Sequence, residues 1–460
     1  MPTLLVKNAR VLVTMDASRR ELEDSGFHVR DGVIEQIGPS SELPATADEV
    51  LDLRDHVVLP GLVNTHHHLF QTLTRAVPAA QDADLFNWLR TLYPIWARLT
   101  PDAMRSSTQL GLAELALSGC TTASDHGYIF PNGCKLDDQI HAALELGLRF
   151  HASRGSMSLG ESAGGLPPDS LVESEQAILE DSQRVIEAFH DSSHGAMTRI
   201  VLAPCLPFSV TLDAMRESAR LARAYGLQLH THLSETMDEL QFCLERFGKR
   251  PVELMEDLGW LGSDVWFAHA VHVNTTEIGL FANCGCGAAH CPSSNMRLGS
   301  GIMPLRAMLA AGIKVGLGVD GSASNDSSNL LLEARQAMLL SRLEGAEEQR
   351  RDPAHKSRSQ LSARTALEVA TIGGASVLGR SDIGSLEVGK CADFTAVNLN
   401  RLGFSGNHDP VAAVVFCGTP RVDYTVVHGR VIVREGRLVT LKERDLVAAH
   451  SQHAKKLLEG

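Results

Sequence analysis

With 460 residues, 44% of them hydrophobic, the chain exceeds what one compact core usually holds, so a barrel-sized interior and a smaller second unit are expected. Its net charge of −13 disfavours nucleic acid and anionic membranes as partners and leaves a small, neutral molecule as the natural substrate. Nine cysteines, an odd number without regular spacing, give no disulfide framework and fit a reducing cytoplasm; Cys284, Cys286 and Cys291 have the wrong spacing for a zinc knuckle and read as free thiols.

The chain opens with M-P-T-L-L-V-K-N-A-R-V-L-V, which lacks the cationic start and cleavage site of a secretion signal and reads as a β-strand. Residues 3–14, 27–37 and 49–58 alternate apolar and polar around turns such as R-D-G-V, the pattern of short antiparallel strands. From residue 59 apolar strands alternate with longer helical segments, which predicts a parallel barrel. Eight strands are predicted to end near His68, Asp125, Arg154, Cys205, His232, His269, His290 and Asp320. Each ends in a polar or reactive residue, and a (β/α)8 barrel gathers such endings at one mouth. Residues 156–170, rich in Gly, Ser and Pro, are expected to form a mobile loop over that mouth. Beyond residue 388, C-A-D-F-T-A-V-N and Y-T-V-V-H-G-R-V-I-V-R-E-G-R return to strand patterns, and a helix-favouring stretch begins near Lys442. The expected architecture is therefore α/β: a (β/α)8 TIM barrel over 59–388, a small β-sandwich built from 1–58 and 389–441, and a helical tail over 442–460. No apolar run approaches the ~20 residues that span a bilayer.

His66 and His68 in N-T-H-H-H, His232 in T-H-L-S-E, His269 in F-A-H and Asp320 in G-V-D each follow a short apolar run. Imidazole and carboxylate suit a borderline divalent ion such as Zn²⁺, and residues two apart on a strand share a face, so His66 and His68 can grip one ion together. The pattern is that of a metal-dependent hydrolase with a divided site. His67 then points away. A single histidine is more often structural than a ligand, and His230 is read so. His272, His290, Asp125 and His126 stay open between contacting substrate and holding a loop or strand end. Gln71, three residues after His68, overlooks the metal with an amide that donates and accepts at once, matching a heterocyclic lactam. Arg154 has two readings, a planar fork for a ring carbonyl or an ordinary salt bridge.

The ordered set P-G-L-V-N-T-H-H-H from Pro60, H-L-S-E from His232, F-A-H from Phe267, H-C-P-S-S-N from His290, G-L-G-V-D-G-S-A-S-N-D from Gly316 and I-G-S-L-E-V-G-K-C-A-D-F from Ile383 resembles the amidohydrolase superfamily, in its triazine hydrolase and aminohydrolase branch. The resemblance covers essentially the whole chain. It implies one divalent ion, most often zinc, on His66, His68, His232 and Asp320. Some members bridge two ions with a modified lysine at the fourth strand's end; here that end reads Ala203, Pro204 and Cys205, which implies a mononuclear site. The cytidine-type H-x-E and P-C-x-x-C arrangement is different. The resemblance also implies Glu235 as proton shuttle, His269 as the group orienting the attacking water, and Asp320 as acceptor of its second proton.

Cys205 stands where many adenosine-type members carry a substrate-binding histidine. With T-H-H-H-L-F-Q-T-L-T-R from Thr65 and R-G-S-M-S-L-G from Arg154, it resembles the members that deaminate 8-oxoguanine and isocytosine. The implied substrate is thus a 2-amino-4-oxo heterocycle, contacted by Gln71, Arg154 and Cys205. A triazine chlorohydrolase or aminohydrolase is the enzymatic alternative, and a non-catalytic scaffold is the alternative of another class. Glu235 favours amine loss, which needs a protonated leaving group, over chloride loss. The family also implies a homo-oligomer.

Overall fold

In the computed structural model, which describes residues 2–352 and 360–459, eight parallel strands close into a barrel. They are β1 (Leu62–Asn64), β2 (Cys120–Gly127), β3 (Arg149–Ser156), β4 (Thr198–Pro204), β5 (Gln228–Leu233), β6 (Val265–His269), β7 (Gly287–His290) and β8 (Lys314–Leu317). Each pairs with the next in chain order, and β8 closes on β1 through Leu317 and Asn64. These strands are buried on both faces, which is why they read as apolar runs rather than as alternation. They are the eight anticipated, with one correction. β1 stops at Asn64 and β8 at Leu317, so His66, His68 and Asp320 stand on loops just past their strands and owe their convergence to loop geometry.

Two further sheets come from the chain ends. Thr3–Ala9, Ser25–Arg30, Val33–Pro39 and Glu49–Asp52 form a four-stranded sheet. Val11–Val13, Glu21–Leu22 and His56–Pro60 join Phe394–Asn398, Tyr424–Val427, Arg430–Arg434 and Arg437–Leu438 in a seven-stranded one. The sheets share a core of Leu4, Val6, Phe27, Val58, Phe394 and Val426, with the Phe27 and Phe394 rings edge-on at 5.1 Å. The pairing is not wholly antiparallel as expected. Thr3–Ala9 runs parallel to Glu49–Asp52, and Val11–Val13 parallel to His56–Pro60, because the chain returns to each partner by a crossover rather than a hairpin. Arg149 of β3 and Asp393, both fully buried, pair at 3.0 Å and tie the barrel to the returning strands.

The segment 156–170 is not a free flap. Ser158 and Leu159 donate their N–H groups to the Ser209 carbonyl, and Leu166 donates to Phe208, so the loop is pinned along the chain that follows β4. The helix Pro101–Leu117 starts at Thr100, whose hydroxyl accepts the Ala103 N–H, with proline in the first turn where no donor is needed. It backs the short turn Leu69–Thr74 that follows β1, and the C-terminal helix Glu443–Glu459 packs across both. Gly460 lies outside the described residues. Among the described residues no helix is long and apolar enough to cross a membrane.

Candidate active site

The carboxyl ends of the barrel strands bring His66, His68, His232, His269, Glu235 and Asp320 together, all buried. His68 Nε2 faces His232 Nε2 at 3.0 Å. Asp320 Oδ1 lies 3.3 Å from His66 Nε2 and 3.4 Å from His68 Nε2. Two backbone strains turn these groups inward: His269 has φ of 72° and Asp320 φ of 62°, a left-handed conformation uncommon for residues with a side chain and typical of sites where geometry matters. Asn64 couples the two sides, donating to the His66 carbonyl at 3.2 Å and accepting the Val319 N–H at 2.9 Å.

The donor set fits a divalent ion. His66 Nε2 is buried and has no hydrogen-bond partner; ligand atoms of His66, His68, His126 and His232 lie within 4.8 Å of one another, and so do those of His66, His269 and Asp320, a spacing that an ion bridges. His68 Nδ1 donates to the His126 carbonyl at 2.8 Å, which leaves its Nε2 as a free lone pair toward the cluster. His126 is also within the cluster; its Nε2 donates to the Ala203 carbonyl at 2.7 Å, and its Nδ1 is buried without a hydrogen-bond partner. Burial, reinforced by the neighbouring imidazoles, holds His232 well below the ordinary histidine range, so the ring is neutral as a ligand must be. Burial works to raise Asp320, yet His66, His269 and His68 hold it well below the usual carboxylate range.

Glu235 lies 3.6 Å from His269 Nε2, which is 3.9 Å from Asp320 Oδ2. Burial pushes the Glu235 carboxyl up to about 7, close to the pH at which a proton shuttle works best. Burial pulls His269 down, but the Glu235 and Asp320 carboxylates outweigh it and leave the ring above its ordinary value. Its Nδ1 is fixed by Asn295 Oδ1 at 2.9 Å. Glu235 is itself held: the Glu239 carboxylate accepts the N–H of Ser234 at 2.9 Å and of Glu235 at 2.8 Å, clamping a turn in which Ser234 has φ of 52°.

A narrow pocket opens on this cluster, walled by Leu85, Trp88, Tyr128, Leu206 and Leu298, with Gln71, Cys205 and Ser324 among its polar and sulfur-bearing groups. The Trp88 indole N–H is used on the Ala323 carbonyl at 3.1 Å. Gln71 is buried, and neither amide atom has a hydrogen-bond partner, with the Tyr128 hydroxyl close by. The amide lies close against Gly321, where a Cβ would fall 1.8 Å from its oxygen. Cys205 lies just beyond β4 with Sγ 4.0 Å from His232 Nδ1, and burial pushes its thiol up to about 12, so it is neutral.

Arg154 does not join them. Its side chain, 1% exposed, donates to Glu173 Oε1 and Asp181 Oδ2, each at 2.7 Å, and stacks over Phe130 at 4.6 Å. In the structure Arg154 thus makes the ion pair and does not line the pocket. His67 points away, its Nε2 3.0 Å from Ser328 Oγ. His272 donates to the Ser300 carbonyl at 2.8 Å and fixes a loop. Asp125 holds the chain after His68, accepting the Leu69 N–H and the Gln139 amide, each at 2.7 Å. His290 is buried at the end of β7 and does not line the pocket. Sequence reading passed over Asn64, Trp88, Tyr128, Glu239 and Asn295. Glu239, four residues after Glu235 at a helix start, and Asn295, inside H-C-P-S-S-N, were within reach of it; the aromatic walls were not.

The sequence model of the Amidohydrolase family matches residues 57–432. The 8-oxoguanine deaminase of Pseudomonas aeruginosa is 49% identical to this chain over 439 residues, covering 95% of each. The hydroxydechloroatrazine ethylaminohydrolase of Pseudomonas sp. strain ADP is 40% identical over 479 residues, covering 100% of this chain and 97% of that protein. The crystal structure of atrazine chlorohydrolase from Arthrobacter aurescens TC1 complexed with zinc matches with a TM-score of 0.92 at 33% identity, covering 98% of this chain and 100% of that one. Matched by that family over most of its length, and by relatives at these identities, the chain belongs to the amidohydrolase family.

Proposed function

We propose that the protein is a hydrolytic deaminase of a 2-amino-4-oxo heterocycle, converting 8-oxoguanine and water to urate and ammonia and acting likewise on isocytosine. The observation that carries this reading is Gln71: an amide with both atoms unpaired, buried beside the histidine cluster between aromatic and aliphatic walls, is complementary to a flat ring bearing an N–H next to a carbonyl. The 49% identical deaminase supports the same ring.

His66, His68, His232 and Asp320 would hold one divalent ion, with zinc, the ion of the solved relative, as the natural choice. When bound, such an ion supplies acidified water as a nucleophile near neutral pH. Glu235 would carry a proton to a ring nitrogen, which makes the carbon bearing the amine more electrophilic. His269, held by Asn295 and 3.6 Å from Glu235, would orient the attacking water beside the shuttle. Asp320 accepts the second proton, and the amine leaves as ammonia once protonated. Cys205 offers a neutral, compact wall, leaving room for a ring without a ribose contact.

Loss of an alkylamine from a hydroxytriazine is the second reading, favoured by the 40% identical ethylaminohydrolase. Ammonia or amine release from aminated purines, pyrimidines and triazines separates the two. We expect 8-oxoguanine and isocytosine to be turned over and adenosine and cytosine to be poor, since a site built for one hydrogen-bond pattern rejects another by ~10⁴-fold or more. Efficient turnover of aminotriazines or adenosine with both favoured rings untouched would sink the substrate assignment.

A further inference from the structure

The turn Leu69–Thr74, which carries Gln71 into the pocket, is entirely buried and is held at several points. Asp125 fixes its start through the Leu69 N–H. Its end is held by the Trp96 indole, which donates to Thr74 Oγ1 at 3.1 Å, while that hydroxyl donates to the Gln71 carbonyl at 3.1 Å. The remaining hold comes from the far end of the chain: His450 Nε2 lies 3.0 Å from Thr72 Oγ1.

The surroundings of Thr72 favour His450 as the donor in that bond. The Thr72 hydroxyl proton has the Leu69 carbonyl at 3.1 Å and the Ser107 carbonyl at 3.3 Å as acceptors, which leaves its oxygen free to accept from His450, the direction taken in the proposal below. Burial, with Arg75 nearby, brings His450 down to about 4, so the ring is neutral and has one N–H to give. His450 shares the buried face of the helix Glu443–Glu459 with Leu446 and Leu457, which join the same core as Leu69 and Phe70. Arg98 caps that helix, its Nε and Nη2 donating to the Leu457 carbonyl at 3.0 and 2.6 Å. A polar ring in an apolar seam is costly to bury unless its bond is made, and here the bond is made to the turn that bears Gln71.

We propose that His450 is a positioning residue for substrate: by donating to Thr72 it holds the turn that aims the Gln71 amide, so the C-terminal helix sets affinity for the ring while touching neither the ring nor the histidine cluster. This rests on the reading of Gln71 as the ring's amide partner. A turn that must be ordered on binding lowers apparent affinity, because part of the binding free energy is spent selecting the competent arrangement.

The test is steady-state kinetics on the full-length, metal-loaded enzyme, with metal content measured alongside. The substrate is whichever aminated heterocycle the wild type deaminates, so a wrong ring assignment appears in the wild type and a wrong positioning role appears only in the variants. His450→Phe should raise KM about three- to tenfold, the worth of one neutral hydrogen bond, with kcat and metal content retained. His450→Gln, which keeps an N–H donor, should recover most of the KM. Thr72→Val should reproduce the Phe variant and add nothing to it in combination, and it carries the same test should His450→Phe not fold. In a Gln71→Leu background, His450→Phe should leave KM where it is. An unchanged KM in the folded variant, loss of the ion, or an equal rise in the Gln71→Leu background overturns the proposal.

Discussion

His230 Nε2 lies 2.8 Å from His66 Nδ1, and His230 Nδ1 lies 3.0 Å from the Trp266 carbonyl. A carbonyl only accepts, so His230 carries its proton on Nδ1 and accepts at Nε2. His66 must then donate from Nδ1, which leaves a lone pair on Nε2, the nitrogen that has no partner in the cluster. One backbone carbonyl thus sets the tautomers of two histidines in series. The His230 ring is kept flat by stacking on Trp266 at 4.4 Å and 13°.

His230→Phe should therefore weaken the ion's hold by about 10–100-fold, the usual cost of losing a ligand's outer partner. Chelator competition measures it. The wild type should carry about one divalent ion per chain. An unchanged affinity would make His230 a packing residue, and two tightly held ions would defeat the mononuclear assignment.

Glu235→Gln keeps the shape of the side chain and removes its proton transfer. Turnover should fall by about 10²–10⁴-fold with the ion retained. Ammonia release near the wild-type rate would assign the shuttle to another group.

The same carboxyl predicts a pH effect on stability. It titrates near 4.5 when exposed and about 7 when buried in the metal-free fold, so the folded state binds its proton more tightly. Stability from this group is complete below pH 4.5 and is lost as the pH rises through 7. Metal-free Glu235→Gln should thus be more stable than metal-free wild type at pH 8, by on the order of 3 kcal/mol, with the gap closing toward pH 4. Thermal melts at the two pH values decide it; a variant less stable at pH 8 contradicts the account.

Gln71→Leu should damage activity on 8-oxoguanine and isocytosine alike without displacing the ion. Leucine fills the space but pairs with neither the N–H nor the carbonyl of the ring, and an unpaired buried polar edge costs about 1–3 kcal/mol. Metal content and KM measured together would expose a purely structural role.

Arg154→Met should lower stability by about 1–3 kcal/mol, since Glu173 and Asp181 lose a charged donor but are exposed enough to recruit water. KM should not move. A rise in KM at unchanged melting temperature would restore the substrate role that the sequence left open for this arginine.

His66, His68, His232, His269 and Asp320 could be named from sequence because each closely follows an apolar run, and run length and period are local properties of a chain, whereas Glu235 entered through the family resemblance alone. The barrel follows from the same signal, repeated eight times. The parallel pairings of Thr3–Ala9 and Val11–Val13 were not readable, because alternation marks a strand without naming its partner or direction.

What the sequence determined by itself is thus the identity of the reactive groups and the strand ends that bear them. Only the tertiary structure decided what each polar atom is bonded to. Arg154 is engaged by carboxylates 19 and 27 residues away, His66 takes its tautomer from a ring 164 residues away, and the turn of Gln71 is held from 378 residues away. A hydrogen bond depends on distances of a few tenths of an ångström between groups that the fold alone brings together, and no local pattern of residues encodes them.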